Sequence, residues 1–242
     1  MLAIDSCEHN ADLAAGEGRS EQDVNLLLES VWSVLGNMPS EVLGRTAGVG
    51  VTGQMHGLAL LNRRQQAVTP LITWQDKRCL AEGFLDKLNQ QTGARLHSGF
   101  GCATLAWLVD QKRCPADTHC ACTVQDLLVS QLCGLPEPIM DPTHAASCGL
   151  FDPGCNRWDE PALQKEGIPV EWFPKIVSCG VPAGTIAREW AVDFGLPVGI
   201  PVITAIGDNQ ARCWARLRTQ TMNLRSPWER AANCLPQSMG PL

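Results

Sequence analysis

Apolar residues recur three or four positions apart at Val24, Leu27, Leu28, Val31 and Leu35. That spacing predicts an amphipathic helix from about residue 20 to residue 35. Ser20 is its expected N-cap, with Glu21 and Asp23 in the first turn, and Gly36-Asn37 and Pro39 end it. Residues 8–19, polar and rich in glycine and alanine, read as loop. Short apolar runs at 47–52 and 57–61 predict strands, split by Gly53-Gln54-Met55-His56-Gly57, and residues 70–73 predict a third. Helical spacing returns over 79–90 and stops at Thr92-Gly93. It returns again over 102–111, with a polar cap near Thr104, and over 124–132, ended by Cys133-Gly134 and Pro136.

Residues 134–161 contain five prolines and read as loop, with Trp158 as an anchor to the core. A short helix over 161–166 closes at Gly167, and residues 170–184 read as irregular. A helix near 185–194 ends at Gly195. Residues 202–206 then form a buried strand that delivers Asp208 to the start of a helix over Ala211, Cys213 and Trp214. From about 219 the chain is polar, with Pro227, Pro236 and Pro241. Strands alternating with helices of this size indicate an α/β domain, and the polar groups follow strand ends, where open α/β sheets place ligands.

Composition narrows the function. The 242 residues are 45 % apolar and carry 19 basic against 25 acidic side chains, a formal net charge of -6. The longest basic cluster is Arg63-Arg64, which argues against nucleic acid as a partner. No apolar run approaches the roughly 18 residues of a membrane span, and residues 1–12 lack the pattern of a secretory signal, so the expected compartment is the cytoplasm. Twelve cysteines in such a chain read as reduced thiols. Cys114, His119, Cys120 and Cys122 are the densest group, but no second pair completes a tetrahedral zinc set, and no metal site is expected.

Three stretches carry candidate chemistry. Asp208 follows a buried strand and Gly207, so its carboxylate is either a base in a crevice or an ordinary helix cap. His56 sits in a glycine-bracketed turn, where contact with a ligand and a plain turn role are equally open. Trp74-Gln75-Asp76 puts a flat ring beside an amide and a carboxylate. That set suits a sugar, whose C–H face stacks while its hydroxyls hydrogen-bond; a core tryptophan followed by a helix cap is the bland alternative.

Taken together, the order of the segments resembles the FGGY family of carbohydrate kinases. The matching stretches are GVGVTGQMHGLALL at 48–61, LITWQDKRC at 71–79, TG at 92–93 and SGFGCATLAWL at 98–108. Asp126 with LLVSQLCGLP at 127–136, DPTHAASCGLFD at 141–152, Trp158-Asp159, GIP at 167–169 and PVITAIGDNQA at 201–211 continue it. The resemblance, covering about 20–218, implies an actin-like, ribonuclease-H-like α/β fold and ATP with Mg2+ as co-reactants. It implies Asp208 as the base that deprotonates a ketose hydroxyl, the ketose being sedoheptulose or a relative. Gln54, Met55, His56, Trp74, Gln75, Asp76 and Asn209 are then the sugar-contacting candidates.

Two departures qualify the expectation. The family opens on a D-x-G-T-T/S phosphate hairpin, where this chain has Asp5-Ser6-Cys7-Glu8, and Met222 to Pro227 stands where a further phosphate loop is expected. The reading is therefore of an incomplete domain: a non-family segment at 1–19, a sugar-binding domain without its first strands at 20–205, and the start of a second domain with a divergent tail at 206–242. The competing function is a sugar-binding or regulatory remnant without phosphotransfer.

Overall fold

In the computed structural model, which describes residues 3–220, the apolar runs become strands covered on both faces. Ala59–Leu61 pairs antiparallel with Cys120–Cys122, in the register Ala59↔Cys122 and Leu61↔Cys120, and Leu58 bridges Ile72. Successive strand side chains point to opposite faces, and here that alternation sorts them into two cores. Ala59, Leu61, Leu71, Cys120 and Cys122 join one core with Leu28 of the helix Val24–Asn37 and Leu127 of the helix Val124–Cys133. Leu58, Leu60, Ile72 and Ala121 face the other, with Leu88 of Phe84–Thr92 and Leu105 of Gly101–Asp110. Coverage on both sides explains why 57–61 and 70–73 read as continuous apolar runs, while Cys120–Cys122 is a strand that the pattern did not predict.

A parallel pair lies beside this sheet. Thr52–Gly53 runs alongside Ile206–Gly207, and Val49 bridges Val202 one step earlier. Pro201–Ile203 continues antiparallel to Pro182–Thr185, while Ile139–Met140 pairs parallel with Lys175–Ile176. The chain is α/β, as its pattern of elements indicates.

Several local expectations need correction. The first helix starts at Val24, capped by Asp23, whose Oδ1 accepts the N–H groups of Asn25 (2.8 Å) and Leu26 (3.1 Å). Ser20 and Glu21 are drawn away by tertiary partners: the Ser20 N–H donates to Asp76, and Glu21–Gln22 is a strand between Asp12–Leu13 and Leu71–Ile72. Residues 8–19 are thus not all loop. The 79–90 helix is broken into a 3-10 segment, Arg78–Gly83, and the α-helix Phe84–Thr92, because Glu82 and Gly83 both take left-handed backbone angles. Thr104 caps nothing; it is buried inside Gly101–Asp110, whose N-cap is Phe100.

The largest correction falls on 134–161, which holds the helix Pro142–Cys148 and a hairpin of Phe151–Asp152 with Arg157–Trp158. Two of its five prolines start helices instead of preventing them. Pro142 and Pro161 stand in first turns, where a missing N–H costs nothing, behind the capping residues Asp141 and Asp159. Trp158 does anchor the segment, stacking on Phe173 at 3.9 Å and meeting Phe151 edge-on. Residues 170–184, expected to be irregular, contribute Lys175–Ile176 and most of Pro182–Thr185 to strands. The helix Asp208–Gln220 takes in the first residues of the polar tail; Met222 to Pro227 lies outside the described residues.

Candidate functional site

Parallel neighbours release their chains at the same sheet edge, so Gln54-Met55-His56 and Asp208-Asn209-Gln210 emerge together. The approach is close enough to require glycine twice. A Cβ at Gly207 would lie 2.8 Å from Met55 Cγ, and one at Gly53 would lie 2.2 Å from Gln125 Nε2. Gln125 Nε2 donates to the Gln54 carbonyl at 2.9 Å, fixing the exit of the first loop, and Gln54 Nε2 reaches Gln22 Oε1 at 3.2 Å. Met55 is buried against Gly207. Asp208 is half-buried and opens the helix Asp208–Gln220; its Oδ1 accepts the Asn209 N–H at 2.8 Å, and Asn209 itself is exposed.

His56 adopts φ +73°, a left-handed angle uncommon for residues other than glycine. Its N–H donates to Ser147 Oγ at 3.2 Å, its Nδ1 lies 2.5 Å from the Ser147 carbonyl, and its ring stacks on Phe100 at 4.7 Å. A carbonyl oxygen can only accept, so Nδ1 carries the proton and Nε2 of the neutral ring is an acceptor. Burial pushes the His56 pKa below its ordinary 6.5, against the opposing pulls of the Ser147 carbonyl and the Asp208 charge.

Sequence reasoning missed the helix that joins these two loops. Thr143 Oγ1, in Pro142–Cys148, accepts the Gly207 N–H at 3.0 Å, and Ser147 holds His56. Asp141 caps this helix through Oδ1, while its Oδ2 accepts from the Cys179 thiol; burial, reinforced by Asp141, pushes that thiol up to about 12. His144 is wholly buried and reaches Asp126 Oδ1 at 3.2 Å. Burial alone would lower the His144 pKa, but the charge and hydrogen bond of Asp126, with Asp141 and Asp208 beyond, raise it. The available signal was Asp141-Pro142-Thr143, a capping residue followed by proline at a first helical position.

The tryptophan segment divides in two. Trp74 is 51 % exposed and Gln75 is exposed, but Asp76 is 1 % exposed, and its carboxylate is spent inside the protein. Its Oδ1 accepts from the N–H and Nε of Arg78, and its Oδ2 from Arg78 Nη2 and the Ser20 N–H. Arg78 also bonds Glu21 at 2.5 Å. Gly99, at φ +86°, passes so close that a Cβ there would fall 1.9 Å from the Trp74 carbonyl oxygen. Gly99 touches Trp74, and the next residue, Phe100, carries the His56 ring. The turn 97–100 therefore brings the Trp74 and His56 segments together.

Cys120 and Cys122 are buried strand residues, and a hydrogen bond from the Cys122 thiol to Cys120, with burial, pushes that thiol far up, while His119 turns to Glu137. Among the described residues no three His, Cys, Asp or Glu side chains are grouped to hold a metal ion. A cavity of about 730 Å³ lined by Val51, Val181, Ile203, Ile206 and Trp214 contains neither His56 nor Asp208, so size does not mark the site.

Two parallel strand ends, a neutral imidazole and a carboxylate opening a helix meet at this edge, with an exposed indole on the adjoining segment. Residues 1–213 match the N-terminal domain of the FGGY family of carbohydrate kinases, and the chain belongs to that family. Among curated relatives, mouse sedoheptulokinase is 33 % identical over 97 % of this chain and 52 % of its own length. Human sedoheptulokinase is 34 % identical over 95 % of this chain and 51 % of its own. The chain thus spans about half the length of these relatives. Among solved structures, a xyloylose kinase from Brucella ovis superposes with a TM-score of 0.74 at 26 % identity, over 84 % of this chain and 43 % of that one. The fold is the actin-like, ribonuclease-H-like α/β fold of the family's N-terminal domain.

Proposed function

We propose that this chain forms the sugar-binding half of a carbohydrate kinase site, with sedoheptulose as the leading substrate and Asp208 as the general base. The observation that carries this reading is the meeting of His56 and Asp208 at the ends of two hydrogen-bonded parallel strands. Trp74 offers an exposed ring to a C–H face of the sugar, Gln75 and Asn209 offer exposed amides, and His56 Nε2 accepts from a hydroxyl. Asp208 takes the proton of the hydroxyl that becomes the ester oxygen, a role worth roughly 10²–10⁴ in rate. Asp76 supports the Trp74 turn from beneath. Sedoheptulose leads among ketoses because the relatives aligned over nearly the whole chain carry that name.

ATP would supply the phosphoryl group, with Mg2+ neutralising its charge. Among the described residues no three His, Cys, Asp or Glu side chains are grouped to hold that Mg2+. The chemistry assigned to these residues is therefore binding, orientation and proton acceptance. The test is calorimetric titration of the purified chain with sedoheptulose, with magnesium-ATP, and with both, beside an assay for sugar phosphate. Sedoheptulose binding is expected in wild type and in Asp208→Asn, with phosphorylation confined to wild type. Sugar binding without nucleotide binding would leave a half-site that does not transfer phosphate, and no affinity for any ketose would overturn the reading.

A further inference from the structure

We propose that Ser147 is a positioning residue that holds the His56 imidazole ready to accept a sugar hydroxyl, while its helix ties that turn to the strand bearing Asp208. The inference rests on the sugar-binding reading and goes beyond it by naming what sets the distance between the two sides of the site.

The two hydroxyls of Pro142–Cys148 repeat one pattern a helical turn apart. Thr143 Oγ1 donates to Asp141 Oδ1 at 2.8 Å and accepts the Gly207 N–H at 3.0 Å. Ser147 Oγ donates to the His144 carbonyl at 2.7 Å and accepts the His56 N–H at 3.2 Å. Residues four apart lie on one helical face, so a single rigid face grips the residue before Asp208 and His56 itself. Each hydroxyl proton is committed inward, which orients the lone pairs toward the site loops.

Both side chains are buried, Ser147 at 3 % and Thr143 at 6 % exposure, so their bonds are sheltered from competing water. The Ser147 bond also holds a backbone at φ +73°, where a histidine does not rest unaided. The helix is fixed in turn. Asp141 caps it, and His144 reaches Asp126 of Val124–Cys133. Without Ser147 Oγ, His56 itself keeps, among the described residues, the imidazole bond to a carbonyl and the stack on Phe100.

The experiment uses the full chain and its Ser147→Ala, Ser147→Cys and Ser147→Thr variants. Long-range ¹⁵N–¹H spectra of the imidazole read its tautomer and titration without any ligand, and calorimetry with sedoheptulose reads affinity. Wild type is expected to show the Nδ1–H form and a pKa below 6.5. Ser147→Ala is expected to mix the tautomers, move the His56 pKa up toward 6.5 and weaken sedoheptulose about tenfold, the loss of one hydrogen bond. Ser147→Thr keeps the hydroxyl and restores the wild-type spectrum. Should Ser147→Ala fail to fold, Ser147→Cys keeps the volume with a weak acceptor and is expected to fall between. An unchanged His56 spectrum and titration in a folded Ala or Cys variant would overturn the proposal. Altered spectra in a protein whose wild type binds no ketose would uphold the positioning of His56 and sink the sugar reading.

Discussion

Trp74 and Asp76 are two residues apart, and the structure gives them opposite work. Asp76 holds a buried arginine with both oxygens, so Asp76→Ala strands Arg78 with Glu21 as its one remaining carboxylate partner. We expect a loss of about 3–5 kcal/mol in urea unfolding, the usual result of removing one partner of a buried ion pair. Trp74→Ala, at an exposed ring, should leave stability within about 0.5 kcal/mol while weakening sedoheptulose in calorimetry. Sequence marked both residues and could not separate them, because the partners of Asp76 include Ser20, distant in the chain and read as a helix cap.

Half-buried His56 and wholly buried His144 make opposite demands on pH. His56 has a lowered pKa, so its contribution to stability is intact above the unfolded 6.5 and is lost as pH falls through the lowered value. His144 has a raised one, so its contribution is complete below 6.5 and is lost as pH rises through the raised value. Urea unfolding across pH 5–8 should therefore show a flatter acid side in His56→Gln and a flatter alkaline side in His144→Gln. The reverse assignment would contradict the geometry around both rings.

Among elements, the helix Val124–Cys133 is the support of the site. Thr123 and Asp126 form a reciprocal capping box, and Asp126 spends its second oxygen on His144. Thr123→Ala should cost about 1–2 kcal/mol in denaturant unfolding. It should also perturb the His144 resonances, since Thr123 Oγ1 lies 3.4 Å from that ring. This helix was legible from its apolar periodicity and its glycine stop. Pro142–Cys148 was not, because a seven-residue helix is too short to show a period and its proline reads as a breaker.

For the whole molecule, the sheet of residues 58–61, 71–72 and 120–122 divides two cores, and the edge proposed for the ligand lies on the neighbouring parallel pair. Sugar that binds only the folded state should raise its thermal midpoint, by the equivalent of about 2.7 kcal/mol at a hundredfold excess over Kd. If Asp208 is the base proposed above, Asp208→Asn should keep that rise, because a base acts on a proton and contributes little to holding the sugar. A rise that vanishes in Asp208→Asn would make the carboxylate a binding group instead.

The sequence by itself determined the strands around 52, 59–61, 71–72 and 201–203, the principal helices and the loops that bear His56, Trp74 and Asp208. Those signals are local: apolar runs, helical spacing, and glycines at strand ends. Tertiary structure decided which polar groups are free to meet a ligand. It spent Asp76 on Arg78 and Ser20, turned His56 Nδ1 to a carbonyl 91 residues away, and made a helix of Pro142–Cys148 to join the two loops. A polar side chain in a sequence carries its capacity for hydrogen bonding but not its partner, and the partner is fixed only when distant segments pack.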